Sequence, residues 1–282
     1  MRGADKKKRA GSITPKKRFG QNFLADERVV ERIVREVGPR ADETIVEIGP
    51  GHGALTARLV AGAGRLVAIE FDRDLVPLLD EKFGLRGYFV LINADALAVD
   101  FCAAIEPAAT ARVVANLPYY ISTAILQKLI EQRACLTEMV LMLQREVVER
   151  ITAPPGSGER GYLSVLVEAY CEAEALFDVP PAAFRPVPKV WSTVARLRVR
   201  ERAAVALDEE QLLWRVVSAG FAQRRKTIFN NLRHAPGDLL SKIDETGGAG
   251  FVLERAGLDP ARRAETLTLE EWGSLARALG RP

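Results

Sequence analysis

Asn116-Leu117-Pro118-Tyr119 stands at the end of the apolar run Val113-Val114-Ala115 and brings together four groups suited to a planar base with an exocyclic amine. The Asn116 side-chain oxygen and the Leu117 backbone carbonyl can accept both amine hydrogens. Pro118 stiffens the turn and sets where that carbonyl points, and Tyr119 offers a ring face for stacking. The chemistry open to such a site is alkylation of the amine nitrogen. Asn-x-Pro is also an ordinary exit from a strand into a turn, so the tetrapeptide gains meaning only if a cofactor pocket lies beside it.

Three further segments supply that pocket. Glu47-Ile48-Gly49-Pro50-Gly51-His52-Gly53 follows one apolar run and opens a helix, with glycines that let the backbone turn tightly and approach a ligand. Its spacing is G-x-G-x-G, not the G-x-G-x-x-G of dinucleotide folds. Glu70 closes the next run and is placed to accept two ribose hydroxyls; Asp95 closes the third and could accept from an adenine amine. An acid at one strand end is often a turn former, but a glycine loop, Glu70 and Asp95 at three successive strand ends form a pattern. Ligands of open α/β sheets bind at those ends. A nucleoside without a pyrophosphate fits best, which favours S-adenosylmethionine over NAD. His52 is read as loop filler. The two histidines, His52 and His234, leave no metal-ligand spacing, and no metal is expected.

The elements that must hold these residues follow from the hydrophobic pattern. Asp26 caps an amphipathic helix carrying Val29, Val30, Ile33, Val34 and Val37, which Gly38-Pro39 ends. Apolar runs at Thr44–Ile48, Leu66–Ile69, Phe89–Ile92, Val113–Ala115 and Met139–Leu143 are separated by enough chain for helices, so the pattern predicts βαβ units around a buried parallel sheet. Ser164–Ala169 and Val190–Val199 read as a closing antiparallel pair, and residues 153–158 as a mobile loop. From about Leu207, apolar residues recur only at helical spacing. The expected division is a basic disordered arm (1–18), a cofactor-binding catalytic domain (19–204) and a small helical domain (205–282).

Charge is distributed unevenly. Residues 1–18 hold eight basic side chains against Asp5, or +7, so the rest of the chain carries about −4 of the net +3. A second basic run is Arg224-Arg225-Lys226, and Arg196, Arg198 and Arg200 alternate as on a strand. Such charges are either a solvated surface or a grip on phosphates. No apolar run approaches the roughly 18 residues of a membrane span, and the amino terminus lacks an apolar signal region. Cys102, Cys135 and Cys171, widely spaced and odd in number, fit a reducing cytosol.

Taken with Arg18-Phe19-Gly20-Gln21-Asn22-Phe23-Leu24, Ala68-Ile69-Glu70-Phe71-Asp72, Gln144-Arg145-Glu146-Val147, Leu163-Ser164-Val165, the run from Val179 to Val190 and Phe221–Thr227, these motifs make the chain resemble the KsgA-type ribosomal RNA adenine dimethyltransferases, from about Lys17 to Leu232 with a similar helical tail. The resemblance implies a Rossmann-like α/β methyltransferase sheet with a small C-terminal all-helical domain. It implies cofactor contacts at Asn22, Leu24, Gly49, Gly51, Glu70, Asp95 and Asn116, and a catalytic set of Asn116, Leu117, Pro118, Tyr119 and Phe184, with the adenine stacked between Tyr119 and Phe184. RNA would be held by Arg224, Arg225, Lys226, Lys17 and Arg18. The chain departs from the family in having Tyr120 where a polar residue is common, and Arg160-Gly161-Tyr162 where Tyr-Gly-x is usual, which leaves the role of Arg160 open.

The activity implied is S-adenosylmethionine-dependent dimethylation of two adjacent adenines in a hairpin near the 3′ end of 16S rRNA, by a cytoplasmic monomer acting on the 30S subunit or its precursor. Three alternatives stay open on sequence: a 23S rRNA methyltransferase of the macrolide-resistance type, a non-catalytic nucleic-acid-binding factor on the same fold, and a DNA adenine methyltransferase. The intact Glu70, Asp95 and Asn116–Tyr119 set argues against lost chemistry. The 78 residues after Ala204 are short for a separate DNA-recognition domain.

Overall fold

The computed structural model describes residues 21–205 and 210–280. The expected arm, Lys17 and Arg18 lie outside that range. A two-residue strand β1 (Phe23–Leu24) leads into α1 (Glu27–Val37), which Asp26 caps through its side chain and Gly38 ends in the left-handed region. There follow β2 (Thr44–Ile48), α2 (Thr56–Gly62), β3 (Arg65–Glu70), α3 (Val76–Phe83), β4 (Phe89–Asn93), α4 (Phe101–Ala104), β5 (Ala111–Asn116), α5 (Ser122–Glu131), β6 (Leu136–Gln144), α6 (Arg145–Ile151), α7 (Tyr162–Tyr170), β7 (Cys171–Val179), β8 (Phe184–Arg185) and β9 (Ser192–Val199). The C-terminal part is helical: α8 (Glu210–Gly220), α9 (Ile228–Leu232), α10 (Gly237–Glu245), α11 (Gly248–Arg255) and α12 (Leu269–Leu279).

Seven strands form one sheet in the order β4-β3-β2-β5-β6-β9-β7. The first five are parallel, and β9 runs antiparallel to both β6 and β7. This is the Rossmann-like arrangement the alternation predicts. Side chains alternate across it: Val114 enters the core beneath α1, α2 and α3, whereas Val113 and Ala115 enter the core beneath α5 and α7. That second core continues without a break through Leu213, Ile228 and Leu253 to the fully buried Trp272, so the helical part packs as an extension of the catalytic sheet. All five parallel strands end on one side, and the glycine loop, Glu70, Asp95 and Asn116 lie there.

Three expectations are corrected. Ser164–Ala169 is the middle of helix α7, not a strand; the partner of β9 is β7. Leu163 to Val167 are all buried, and a segment apolar all round shows neither helical nor strand period. The edge strand β7 is disguised by the exposed acids Glu172 and Glu174. Residues 153–158 are not loose: the Gly156 amide donates to the Glu265 carbonyl at 2.8 Å. Arg160, only 1% exposed, donates to the Ala153 carbonyl at 3.0 Å and to Glu168 at 2.5 Å. Its role is to pin that loop. Cys102 and Cys135 are joined by a disulfide, leaving Cys171 as the buried free thiol. The two come together only because α4 folds back on the turn before β6, which linear spacing does not reveal, so the cysteine pattern carries no reading of the compartment.

Candidate active site

A cavity of about 200 Å³ opens at the carboxyl ends of the parallel strands. Its lining includes Asn22, Gly49, Gly51, Glu70, Asp95 and the whole of Asn116–Tyr119, so most of the residues singled out in four distant segments meet in one place.

The glycine loop forms one wall. Gly49 (φ 69°) and Gly51 (φ 59°) both sit in the left-handed region, where any side chain is strained. A Cβ on Gly51 would also come within 2.9 Å of the Phe23 ring, which packs edge-on against His52 with ring centroids 4.3 Å apart. His52 therefore supports that ring. Burial and the neighbouring Lys82 both lower its pKa. Glu70 lies below the loop, its carboxylate accepting from the Gly51 amide at 3.1 Å and the Asp72 amide at 2.8 Å. Burial raises its pKa above the ordinary carboxylate value. Asp95 is exposed at the opposite wall, with one oxygen accepting from the Leu97 amide at 2.9 Å.

Glu47, on the strand beneath the loop, is 1% exposed, and its pKa is pushed up to about 8, chiefly by burial and further by the charge of Glu70. Thr56 moderates that rise, yet Glu47 Oε2 and Thr56 Oγ1 both lie outside hydrogen-bonding geometry.

The Asn116–Tyr119 segment closes the other side. Asn116 donates its amide N–H to the Asn22 carbonyl at 3.1 Å, which fixes the side chain with Oδ1 as the remaining group. The Leu117 amide donates to the Met142 carbonyl at 3.2 Å, and the Pro118 and Tyr119 carbonyls accept from the Ile121 amide and the Ser122 hydroxyl. Asn116 Oδ1 and the Leu117 carbonyl have no partner among the described residues. They are the two acceptors that an amine with two hydrogens requires. The Tyr119 hydroxyl is 2.7 Å from Ser192 Oγ, which locks the ring; burial raises the phenol's pKa. Ser192 carries no sequence signal for this role, because a lone serine at a strand start is commonplace. Phe71, 51% exposed beside Glu70, also lines the cavity and was likewise unassigned.

Two expected site residues lie elsewhere. Leu24 and Phe184 are 8% and 0% exposed, and neither lines the cavity. They face each other across the antiparallel β1–β8 pair and enter the core beneath α1. The Phe184 ring fills core volume and does not line this cavity. In the basic segments, Arg224-Arg225-Lys226 occupies an exposed turn between α8 and α9. The alternating arginines of β9 already have carboxylate partners: Arg196 meets Glu36, Glu138 and Glu174, Arg198 meets Glu138 and Glu174, and Arg200 meets Glu172. They are an ion-pair ladder across the sheet. Among the described residues no group of three or more His, Cys, Asp or Glu is placed to hold a metal, and no helix is long and apolar enough to cross a membrane.

The family model described as ribosomal RNA adenine dimethylase matches residues 13–274. The chain is 45% identical, over 94% of both chains, to the ribosomal RNA small subunit methyltransferase A of Pseudomonas aeruginosa. Among solved structures it resembles a dimethyladenosine transferase from Plasmodium falciparum in fold (TM-score 0.76, 22% identity, 90% of this chain and 95% of that one). It also resembles the 23S rRNA methyltransferase ErmE (TM-score 0.65, 26% identity, 92% and 99%).

Proposed function

The chain belongs to the ribosomal RNA adenine dimethylase family, and from that premise we propose that it transfers methyl groups from S-adenosylmethionine to the exocyclic amines of two adjacent adenines near the 3′ end of 16S rRNA, during small-subunit assembly in the cytoplasm. The observation that carries the reading is the pair of unpartnered acceptors, Asn116 Oδ1 and the Leu117 carbonyl, beside the Tyr119 ring and facing the glycine loop. The residues present fit the methyl donor. The left-handed glycines clear space for a nucleoside, Glu70 keeps acceptor capacity for ribose hydroxyls, and Asp95 and Phe71 flank the far wall. S-adenosylmethionine supplies an electrophilic methyl on a sulfonium sulfur.

The protein's part is to make the adenine amine a nucleophile. The lone pair is delocalised into the ring, and two acceptors that draw both hydrogens toward them favour the pyramidal nitrogen. Asn116 is held by Asn22, and the Leu117 carbonyl sits between the Leu117 amide that bonds Met142 and the fixed ring of Pro118, so neither has far to reorganise. As the C–N bond forms, the methyl–sulfur bond breaks, its electron pair stays on sulfur and a neutral thioether leaves; the amine nitrogen gains the positive charge, and the same oxygens stabilise it. The alkylated nitrogen then loses a proton to water. No general base is required, and the cavity lining contains no histidine. A base stacked in a helix cannot reach such a cavity, so the target adenine lies in a loop or is flipped out.

On this reading residues 19–204 do the chemistry, and residues 205–282, with Arg224, Arg225, Lys226 and the basic arm, hold RNA phosphates. The protein acts as a monomer on the 30S subunit or its precursor. The test is transfer of labelled methyl to 30S subunits lacking the modification, with unmodified 50S subunits and duplex DNA in parallel. Up to four methyls per 30S particle on two neighbouring adenines supports the reading. Label confined to 50S subunits would replace it with the resistance-type reaction, and RNA binding without label would make the protein a binding factor.

A further inference from the structure

Just outside the site stands an aromatic side chain that the chemistry above does not use. Ser192, fully buried, positions Tyr119; the next residue back, Trp191, comes out of the protein and is 45% exposed. Its backbone is fixed, because the Trp191 carbonyl accepts from the Arg145 amide at 3.0 Å. The Arg145 guanidinium lies over the indole, 5.8 Å from the ring centroid, and is itself steadied by Glu149 at 3.6 Å and Asp178 at 3.7 Å. Tyr120, which lines the cavity mouth on the other side of Tyr119, is 58% exposed. Trp191 thus leaves an aromatic face open to solvent beside the site. Here the backbone that presents it is the same strand end that holds the base-stacking tyrosine.

We propose that Trp191, backed by Arg145, is a stacking subsite for the unpaired nucleobase adjacent to the target adenine. The inference rests on the reading that the substrate is an RNA adenine. Three features favour a nucleobase as occupant. The indole is continuous with the base slot through a single residue. The Arg145 guanidinium lies over the indole and steadies its plane, so the ring is presented in one orientation to an incoming base. A flat aromatic surface accepts any base, so it holds the strand without specifying it. With the neighbouring base stacked, the target is held out of its own helix at the depth of Tyr119. When the second adenine becomes the target, the first occupies an equivalent position or leaves.

The test uses the full chain and two readouts. Of the three tryptophans, Trp272 is fully buried and Trp214 partly so, which makes Trp191 the accessible fluorophore. Titration with a hairpin RNA containing two unpaired adjacent adenines should quench the wild-type emission saturably, and Trp191→Phe should lose most of that quenching. In methyl transfer to 30S subunits lacking the modification, Trp191→Ala should raise KM by roughly 5- to 150-fold, the range that loss of one base stack predicts, with kcat within a few-fold of wild type. Trp191→Phe should stay near the wild-type KM. A wild-type KM for Trp191→Ala, or no quenching at saturating RNA, overturns the proposal. If the wild type transfers no methyl to RNA but its quenching and RNA affinity still depend on residue 191, the subsite stands and the reaction assigned above falls. A matched thermal transition for all three proteins separates lost stacking from lost folding.

Discussion

Asn116 lines the cavity with a side-chain amide whose N–H is engaged by the Asn22 carbonyl and whose oxygen has no partner among the described residues. Replacing it with alanine removes the acceptor while leaving β5 and the Leu117–Met142 bridge intact. The expected result is a fall in kcat of about 10²- to 10³-fold, as for loss of one preorganised polar group at a site of developing charge. RNA affinity should be little changed. Single-turnover methyl transfer beside a binding titration checks this, and a variant of normal turnover would remove Asn116 from the reaction. Ser192→Ala makes a milder perturbation. Without its 2.7 Å hydrogen bond the Tyr119 ring is free to shift, so KM should rise several-fold while the acceptors still function. Asn116 to Tyr119 were legible in the sequence because four adjacent groups at a strand end need no tertiary information to converge. Leu24 and Phe184 were not, since their burial is decided by β1 pairing with β8, two residues against two residues from opposite ends of the catalytic half. Ser192 was invisible for the related reason that its partner lies 73 residues away.

At the scale of elements, the parallel strands and α1 were readable to within three residues, the strands as short apolar runs separated by helix-length chain and α1 by its helical period, its Asp26 cap and Gly38 at its end. Helix α7 failed that test: it is buried all round and so has no period to read. The strand β2 carries a different conflict, a carboxyl group at Glu47 inside a row of buried aliphatic residues. Its pKa is pushed up to about 8 from an ordinary value of 4.5, first by burial, so the group is mainly neutral in the folded protein at pH 7. A folded-state pKa above the unfolded one means that the contribution to stability is complete below about pH 4.5 and is lost as the pH climbs through 8. Glu47→Gln keeps the shape and removes the titration. The expected outcome is a variant whose stability advantage over wild type is small at pH 5 and grows to a few kcal/mol by pH 9. Urea unfolding at the two pH values measures it, and equal differences at both would mean that Glu47 does not change protonation state on folding.

Across the whole molecule the question is which basic residues remain for RNA once the structure has used its share. The arginines of β9 are consumed by Glu36, Glu138, Glu172 and Glu174, and Arg160 by Glu168. Arg224 is partly engaged, since it donates to the Gly158 carbonyl of the pinned loop. Among the described residues Arg225 and Lys226 have no acidic partner and stand exposed in the turn between α8 and α9. That turn is held from behind by Asn231, whose amide donates to the Gly220 carbonyl at 2.5 Å and the Gln223 carbonyl at 3.2 Å. A rigid turn bearing unpaired cations loses little entropy when it meets phosphates, and each neutralised phosphate adds about 0.7 to 0.9 to the slope of log affinity against log salt. Replacing Arg224, Arg225 and Lys226 together with alanine should therefore weaken RNA binding most at low salt and reduce that slope by about 2. The kcat at saturating RNA should persist, because the cavity is untouched. Arg196→Met is the contrasting variant: it breaks a ladder of three carboxylates, so its effect should fall on the unfolding midpoint and leave the salt slope alone. A triple variant with the wild-type slope would move the phosphate grip to another face of the protein, and a loss of slope in Arg196→Met would mean that the ladder opens to meet RNA.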